Sequence, residues 1–245
     1  MNEVDTEVVE RRVDGGWMRL LRSSTIASII VVALVNILAG LIPPLVVFAL
    51  IWLGALFWMK KATRGPAILL LVAFIVYLAM SAPFVIPTMT VPASAGDFIL
   101  NLASILAAAG AIVGAIYVIR DRVESSDASR TLGRVLVGLF IIGTVFSIFS
   151  LVTYDDAQAQ EGDIQLVTRD IEFQDTSLEA DAGEVSVFVD NEDSTYHSFT
   201  IEELDVDLDI PASKSARVTF EAEPGTYEFF CVPHKEDMKG TIEIR

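Results

Sequence analysis

The chain has 245 residues, 53% of them hydrophobic, and a mean hydropathy of +0.53. This composition is too apolar for an ordinary soluble protein and predicts membrane segments. Charge is divided unequally, because residues 1–153 hold 11 Lys and Arg against 9 Asp and Glu, whereas residues 154–245 hold 6 against 24. We therefore expect two modules in two environments, and no nucleic-acid partner.

Five apolar segments follow residues 1–23, which we assign to a cytoplasmic N-terminal segment. The segments cover residues 24–41, 44–59, 66–86, 98–119 and 135–154. A helix needs about 20 apolar residues to cross the hydrocarbon core of a membrane. Residues 24–154 are therefore predicted to form an all-α bundle of about five transmembrane helices. The second segment is short, and a re-entrant hairpin near residues 42–44 is the alternative.

The basic residues indicate the orientation of these helices. All 11 of them lie in the N-terminal flank, between segments two and three, or between segments four and five, and the two remaining turns carry none. Because positive loops stay on the cytoplasmic side, we expect an integral, multi-pass protein of the cell membrane with an extracytoplasmic C-terminal domain. Lipid is then an expected partner. The basic residues are Arg11, Arg12, Arg19, Arg22, Lys60, Lys61, Arg64, Arg120, Arg122, Arg130 and Arg134.

Residues 155–163 are polar and acidic and are predicted to be a linker. Segment five has an alternative interpretation as a signal peptide, because it follows Arg134 and ends near the small-residue sequence Ala157-Gln-Ala159. Cleavage after Ala159 would release the acidic domain. A signal sequence this far into a multi-pass protein is unusual, so we interpret the segment as an anchor.

After the linker, the hydrophobic pattern changes to a period of two. Strands are predicted at residues 185–190, 196–201, 216–220 and 226–230, with turn residues between them, and another from about residue 241. Short strands at this spacing are typical of an all-β sandwich or barrel. Residues 164–245 are therefore predicted to be a small all-β domain, which a bound metal would help to stabilise.

The acidic half contains the only cysteine, Cys231, and the only two histidines, His197 and His234. Taken singly, each has a plain explanation as a core or polar side chain, and so does Met238. Together they offer two imidazoles, a thiolate and a thioether. That set describes a blue-copper electron-transfer site, whereas zinc prefers Cys, His and carboxylate ligands. The sequence therefore predicts a copper site.

Residues 164–245 resemble the cupredoxins, especially the plastocyanin and amicyanin type. The resemblance lies in an Asn-containing turn before the first His, and in Phe-Cys-Val-Pro-His-Lys-Glu-Asp-Met-Lys-Gly at residues 230–240. It implies a Greek-key sandwich in which one type 1 copper ion is bound. The four ligands that it implies are His197, Cys231, His234 and Met238.

The resemblance also implies residues that support the ligands. Ser198, directly after the first ligand, is expected to tie the two ligand segments together by a hydrogen bond. Asn191, Pro233 and Phe230 are the other residues expected to surround the ligands. Three residues separate His234 from the methionine that follows it. This gap is shorter than in plastocyanins and longer than in amicyanins, so the axial bond and the reduction potential are expected to differ.

We predict a membrane-anchored carrier of single electrons at the outer face of the membrane. We expect no enzyme, because four ligands leave no open position on the metal for a substrate. The alternative is a copper-handling protein that buffers or delivers the metal without a redox role. A third hypothesis is a membrane enzyme or transporter with a copper-binding sensor domain.

The acidic surface of the C-terminal domain has two interpretations. It could dock a basic redox partner such as a cytochrome, by an attraction that weakens as salt rises. It could equally be a solvated surface suited to solubility or a salty habitat. The membrane half offers no chemistry of its own, because it lacks histidine and the cores of its apolar segments lack charged residues.

Overall fold

The computed structural model describes residues 15–120 and 126–245. The predicted orientation depends partly on Arg11, Arg12 and Arg122, which lie outside the described residues. Contacts divide the chain into two compact units. The first unit contains the residues up to Ala82 together with Ile99–Gly143, and the second contains Pro83–Phe98 and Thr144–Arg245.

Five helices precede the β-rich part of the described chain, as predicted. They are α1 (Gly16–Leu38), α2 (Pro43–Trp58), α3 (Arg64–Thr90), α4 (Ala95–Ile119) and α5 (Ser126–Thr153). Within the described residues, four helices are long and apolar enough to cross a membrane, namely α1, α3, α4 and α5. Helix α2 has only 16 residues. The four long helices indicate insertion into a membrane.

Helix α1 begins at Gly16 and not at residue 24. The reason is an amphipathic first turn, in which Trp17, Met18 and Leu21 are buried while Arg19 is exposed. In the sequence, the arginines between these apolar residues hide their helical spacing. The segment predicted to be cytoplasmic, residues 1–23, therefore overlaps the start of a helix.

The first unit packs around aromatic and small side chains. The Trp52 and Phe74 rings stack with centroids 4.6 Å apart. A Cβ atom on Gly114 would lie 2.9 Å from the backbone nitrogen of Leu21, so α4 and α1 approach too closely for a side chain there. The small residues of α4 therefore serve helix packing. On the outer faces, side chains such as Ile142 of α5 are 67% exposed, as a lipid-facing surface requires.

The remaining described residues form a sandwich of two β-sheets. Its strands are β1 (Ile164–Arg169), β2 (Glu172–Phe173), β3 (Ser177–Ala180), β4 (Gly183–Asn191), β5 (His197–Ile201), β6 (Val206–Ile210), β7 (Ser215–Ala222), β8 (Gly225–Phe230) and β9 (Lys239–Ile244). The strand orders are β2-β1-β4-β7 in one sheet and β3-β9-β8-β5-β6 in the other. The pairs β1–β4 and β3–β9 are parallel, and the other pairs are antiparallel.

The predicted strands correspond to β4, β5, β7 and β8, and β9 begins at Lys239 where a start near residue 241 was predicted. Four further strands, β1, β2, β3 and β6, were not predicted. Strand β6 alternates Val206, Leu208 and Ile210 with aspartates, and its two outer apolar residues are buried. Its two aspartates are exposed on the outer face, and this acidic content makes the segment resemble a loop in the sequence.

The sandwich core lies between the two sheets. Leu166 and Val187 of the first sheet are fully buried with Phe199, Phe229 and Ile242 of the second. Period-two alternation places such residues on the inner face of each strand. This packing fixes the ends of β5 and β8, which lie beside each other in the five-stranded sheet.

The predicted linker, residues 155–163, is held against strand β7. The Arg217 guanidinium forms an ion pair with Asp163, whose side chain is 1% exposed, with 2.8 Å between Nη2 and Oδ1. The backbone N–H of Ala157 donates to the carbonyl oxygen of Ser215 at 3.2 Å. The acidic segment after α5 is therefore attached along the sheet and does not hang free.

Candidate metal centre

One group of His, Cys, Asp or Glu side chains in the described part of the chain has the geometry of a metal site. It consists of His197, Cys231 and His234, whose ligand atoms all lie within 4.8 Å of one another. His197 begins strand β5, and Cys231 follows the last residue of β8. His234 ends a short 3₁₀ turn, Val232–His234. The three predicted ligands are thus brought together from segments that are distant in the sequence.

The distances within this group suit donors to one ion. The Cys231 sulfur lies 3.6 Å from Nδ1 of His197 and 3.6 Å from Nδ1 of His234. An ion bonded to nitrogen at about 2.0 Å and to sulfur at about 2.3 Å would have a nitrogen–ion–sulfur angle of about 110° at this separation. His197 and Cys231 are 0% exposed, whereas His234 is partly exposed. The site is therefore buried, with one imidazole reaching toward solvent.

The loop after Cys231 folds back on itself through backbone hydrogen bonds. The Cys231 N–H donates to the Met238 carbonyl at 3.0 Å, and the Met238 N–H donates to the His234 carbonyl at 2.8 Å. Pro233 is buried inside the turn. These contacts place Met238, which is 0% exposed, beside the cysteine. The thioether is therefore inside the domain at the predicted ligand loop.

Ser198 connects the two ligand segments. Its backbone N–H donates to the sulfur of Cys231 at 3.3 Å. Its hydroxyl oxygen accepts a hydrogen bond of 2.8 Å from the backbone N–H of Val232. One residue on β5 thus holds both the cysteine sulfur and the first turn of the loop after Cys231.

Asn191 and Phe230 support the site less directly. The Asn191 amide donates to the Thr195 carbonyl at 2.9 Å and accepts from the Asp193 N–H at 2.9 Å, so it closes the turn that precedes His197. Phe230 is buried, and the Lys235 ammonium lies 3.8 Å from the centre of its ring. Neither side chain has a hydrogen bond to a ligand atom in the described chain.

Burial determines the protonation of the metal-free site. It raises the pKa of the Cys231 thiol to about 11, although hydrogen bonds to the sulfur lower that pKa in part. Burial also lowers the pKa of His234 to about 4, and it lowers the pKa of His197 although a neighbouring carboxylate opposes it. At neutral pH the metal-free site therefore holds a thiol and two neutral imidazoles.

Asp193 contacts the candidate site and was not predicted from the sequence. Its Oδ2 lies 2.8 Å from Nε2 of His197, on the side of the ring away from the cysteine. Burial alone would raise the pKa of Asp193, but hydrogen bonds from His197 and two backbone N–H groups lower it. An acidic residue inside the Asn-containing turn, four positions before the histidine, was the available signal.

Asp97 is a second missed residue, and it belongs to the same compact unit as the sandwich. Its Oδ2 accepts the backbone N–H of Tyr196 at 2.7 Å and the Thr195 hydroxyl at 3.1 Å. Both donors come directly before His197. Asp97 lies in the first turn of α4 and is remote in sequence, so no spacing pattern could have revealed the contact.

The donor set fits copper. Two imidazole nitrogens and one sulfur converge, and a methionine is buried on the same loop. The nearby carboxylate of Asp193 contacts the far nitrogen of a histidine and is not turned toward the cysteine. Zinc would favour a carboxylate over a thioether, whereas two nitrogens, a thiolate and a thioether are typical of type 1 copper. The cluster is consistent with one type 1 copper ion.

Comparisons with known proteins match the C-terminal part of the chain. Residues 140–244 match the family model described as a cupredoxin-like domain. Solved structures of amicyanin also match. The reduced form of a Trp-to-Tyr variant is 18% identical, with 36% of this chain and 87% of that chain covered at a TM-score of 0.31. Amicyanin from Paracoccus versutus is 15% identical, with 36% and 85% covered at the same TM-score of 0.31.

The comparison with curated proteins finds no match. The sandwich of two sheets, the converging His, Cys and His side chains and the family match all fall in the C-terminal part of the chain. Residues 140–244 therefore contain a cupredoxin-like domain with a candidate type 1 copper site, and a region of helices, four of them of membrane-spanning length in the described chain, precedes the sandwich.

Proposed function

We propose that the chain is a membrane-anchored electron carrier whose copper ligands are His197, Cys231, His234 and Met238. The observation that carries the proposal is the convergence of three ligand atoms within 4.8 Å inside a cupredoxin-like sandwich. A bound copper ion would supply a Cu(II)/Cu(I) couple for one-electron transfer. The protein's part is to hold the ligands rigidly, which limits reorganisation when the charge of the metal changes.

The buried and exposed ligands have different roles in this proposal. His197 and Cys231 are fully buried, so they exclude water from the metal. His234 is partly exposed on the loop and is the edge through which we expect electrons to enter and leave. A docked partner protein would meet this edge. The cupredoxin fold is typical of carriers, and we propose no catalytic reaction.

The membrane region supports an anchored carrier with an external copper domain. We propose residues 24–154 as the membrane part, residues 155–163 as the connecting segment and residues 164–245 as the copper domain. The basic loops favour a cytoplasmic N-terminus. If all five helices cross, the 16-residue α2 included, the odd number of crossings would put the copper domain at the outer face. Oxidising conditions there suit a chain with a single cysteine held by metal.

The negative charge of this domain favours a basic redox partner. Residues 154–245 carry 24 acidic against 6 basic side chains. Such a field would accelerate encounter with a positively charged protein, such as a cytochrome. The attraction would weaken at high salt, since the Debye length falls to about 3 Å at 1 M.

Copper loading of the purified full-length chain tests the proposed function. We expect an intense thiolate-to-copper absorption band in the visible region and a reversible one-electron couple. EPR of the oxidised protein should show the small copper hyperfine splitting of a type 1 site. A protein that stays colourless and binds only Cu(I) would instead be a copper-handling protein. Residual membrane activity without the copper domain would favour a sensor.

Copper affinity is expected to rise with pH, because burial raises the pKa of the thiol that must be deprotonated to bind the metal. The thiol, with a pKa of about 11, must lose its proton to bind copper, whereas His234, with a pKa of about 4, is already neutral. Binding at pH 7 therefore releases one proton. The apparent Cu(I) affinity is expected to rise about tenfold per pH unit from pH 6 to pH 9.

Competition with a Cu(I) chelator of known affinity, repeated at each pH, measures this slope. An unperturbed thiol, with a pKa of about 8.5, would make the slope level off above that pH. A slope that continues to pH 9 supports the buried thiol. An affinity that does not change between pH 6 and pH 8 would contradict thiolate ligation.

A further inference from the structure

Asp193 holds the histidine that lies deepest in the site. Its Oδ2 is 2.8 Å from Nε2 of His197, while Nδ1 of the same ring lies 3.6 Å from the sulfur of Cys231. The nitrogen that faces the cysteine is the one available to a metal, so the other nitrogen carries the proton and donates to the carboxylate. The side chain of Asp193 is 15% exposed, and that of His197 is 0% exposed. The hydrogen bond is therefore shielded from water.

A strained turn fixes the carboxylate from the opposite side. The backbone N–H of Asp170 donates to Oδ1 of Asp193 at 2.9 Å, and that of Ile171 donates to Oδ2 at 3.1 Å. Both turn residues have positive φ angles, 59° and 60°. This conformation is unfavourable for a β-branched residue. Ile171 is 41% exposed, so packing does not explain it.

Asp170 and Ile171 are the two central residues of a tight hairpin in which Arg169 pairs with Glu172, and such a turn requires positive φ at both. Two consecutive left-handed residues turn both N–H groups toward Asp193, which then accepts three hydrogen bonds, the third from His197. The turn between β1 and β2 therefore supports the first ligand although it contains no ligand.

We propose that Asp193 is a positioning residue that stabilises the oxidised over the reduced state of the copper site. The inference rests on the copper function proposed above. Hydrogen bonding to a carboxylate raises the basicity of a metal-bound imidazole. A stronger nitrogen donor, with a negative charge behind it, favours the more highly charged Cu(II) over Cu(I). Asp193 should thus lower the reduction potential of the protein.

The substitution Asp193→Asn tests this role in the full-length protein. An amide is nearly the same size, but it has one acceptor oxygen for three donors. We expect the affinity for Cu(II) to fall about tenfold more than the affinity for Cu(I), within the range of about 10–100-fold known for such contacts. For a one-electron couple, that tenfold difference corresponds to a rise of about 59 mV in the reduction potential.

Glu192→Gln is the matched control. It removes the same charge one residue away, where the carboxylate pairs with Arg169 and not with the histidine. We expect its potential to stay near that of the wild type. Equal shifts in the two variants, or equal losses of Cu(I) and Cu(II) affinity in Asp193→Asn, would overturn the inference. A wild-type protein without a blue-copper spectrum would instead overturn the proposed function.

A measurement on the wild-type protein tests the hydrogen bond even where Asp193→Asn does not fold. The chain has only two histidines, so labelling them with nitrogen-15 yields a spectrum of two imidazoles. In the diamagnetic Cu(I) form, we expect a slowly exchanging Nε2–H signal for the buried His197. Exchange as fast as that of His234 would contradict the proposed contact.

Discussion

Replacing Cys231 by serine is expected to abolish the blue-copper absorption and to lower copper affinity by more than about 100-fold, beyond the loss typical of an outer contact. Serine is close to cysteine in size, but its hydroxyl is a poor copper ligand and supplies no thiolate charge transfer. The sulfur is 3.6 Å from both histidine nitrogens, so no other donor in this group can replace it. Absorption and EPR spectra of the copper-loaded variant measure the effect.

The control for Cys231→Ser is the thermal unfolding of the metal-free proteins. Cys231 is fully buried, and the substitution leaves the Ser198 N–H with an oxygen acceptor in place of sulfur. We therefore expect metal-free wild type and variant to unfold at similar temperatures, while copper raises the midpoint of the wild type alone. A variant that remains blue and redox-active would show that the thiolate is not the ligand.

The substitution Gly240→Ala is expected to destabilise the copper domain by about 3 kcal/mol, the upper end of the range for overpacking. A Cβ atom there would lie 2.4 Å from the Phe229 ring and 2.6 Å from the Thr176 carbonyl oxygen. The carbonyl belongs to the backbone and cannot rotate away. Strand β9 would have to move, and Met238 lies two residues before the glycine on the ligand loop.

The melting temperature of the copper domain measures this loss, which for a domain of this size corresponds to a fall of about 12–24 °C. Gly225→Ala is the matched control, because a Cβ at Gly225 would meet only the movable Tyr227 side chain at 3.4 Å. We expect little change there. Equal melting temperatures for the two variants would show that β9 has room to move.

Much of the site could be predicted because its ligands are rare residue types. One cysteine and two histidines in 245 residues leave few alternatives, and the Cys-Val-Pro-His order is informative by itself. The five helices also follow from apolar segments, and five of the nine described strands follow from the alternation of apolar residues and the turn residues around them. In each case the signal is local in sequence.

What could not be predicted depends on contacts between distant segments. The sequence does not reveal that Asp193 contacts His197 on one side and the strained turn at Asp170 and Ile171 on the other. An aspartate in a turn has many common roles, such as capping its own backbone. The helical start at Gly16 was missed for a different reason, since arginines interrupt the apolar face of that turn.

The position of β9 has a consequence for how the domain folds. This strand lies between β3 and β8, and it pairs Thr241 with Ser177 across a long stretch of chain. Such a non-local pairing forms slowly, because closing the long loop costs chain entropy before any contacts form between the two strands. Until β9 arrives, β8 has an open edge and Cys231 lacks the Met238 carbonyl that holds its N–H. The proposed ligand loop is therefore incomplete in a chain that has not yet paired β9, and we expect metal uptake to follow completion of the sheet.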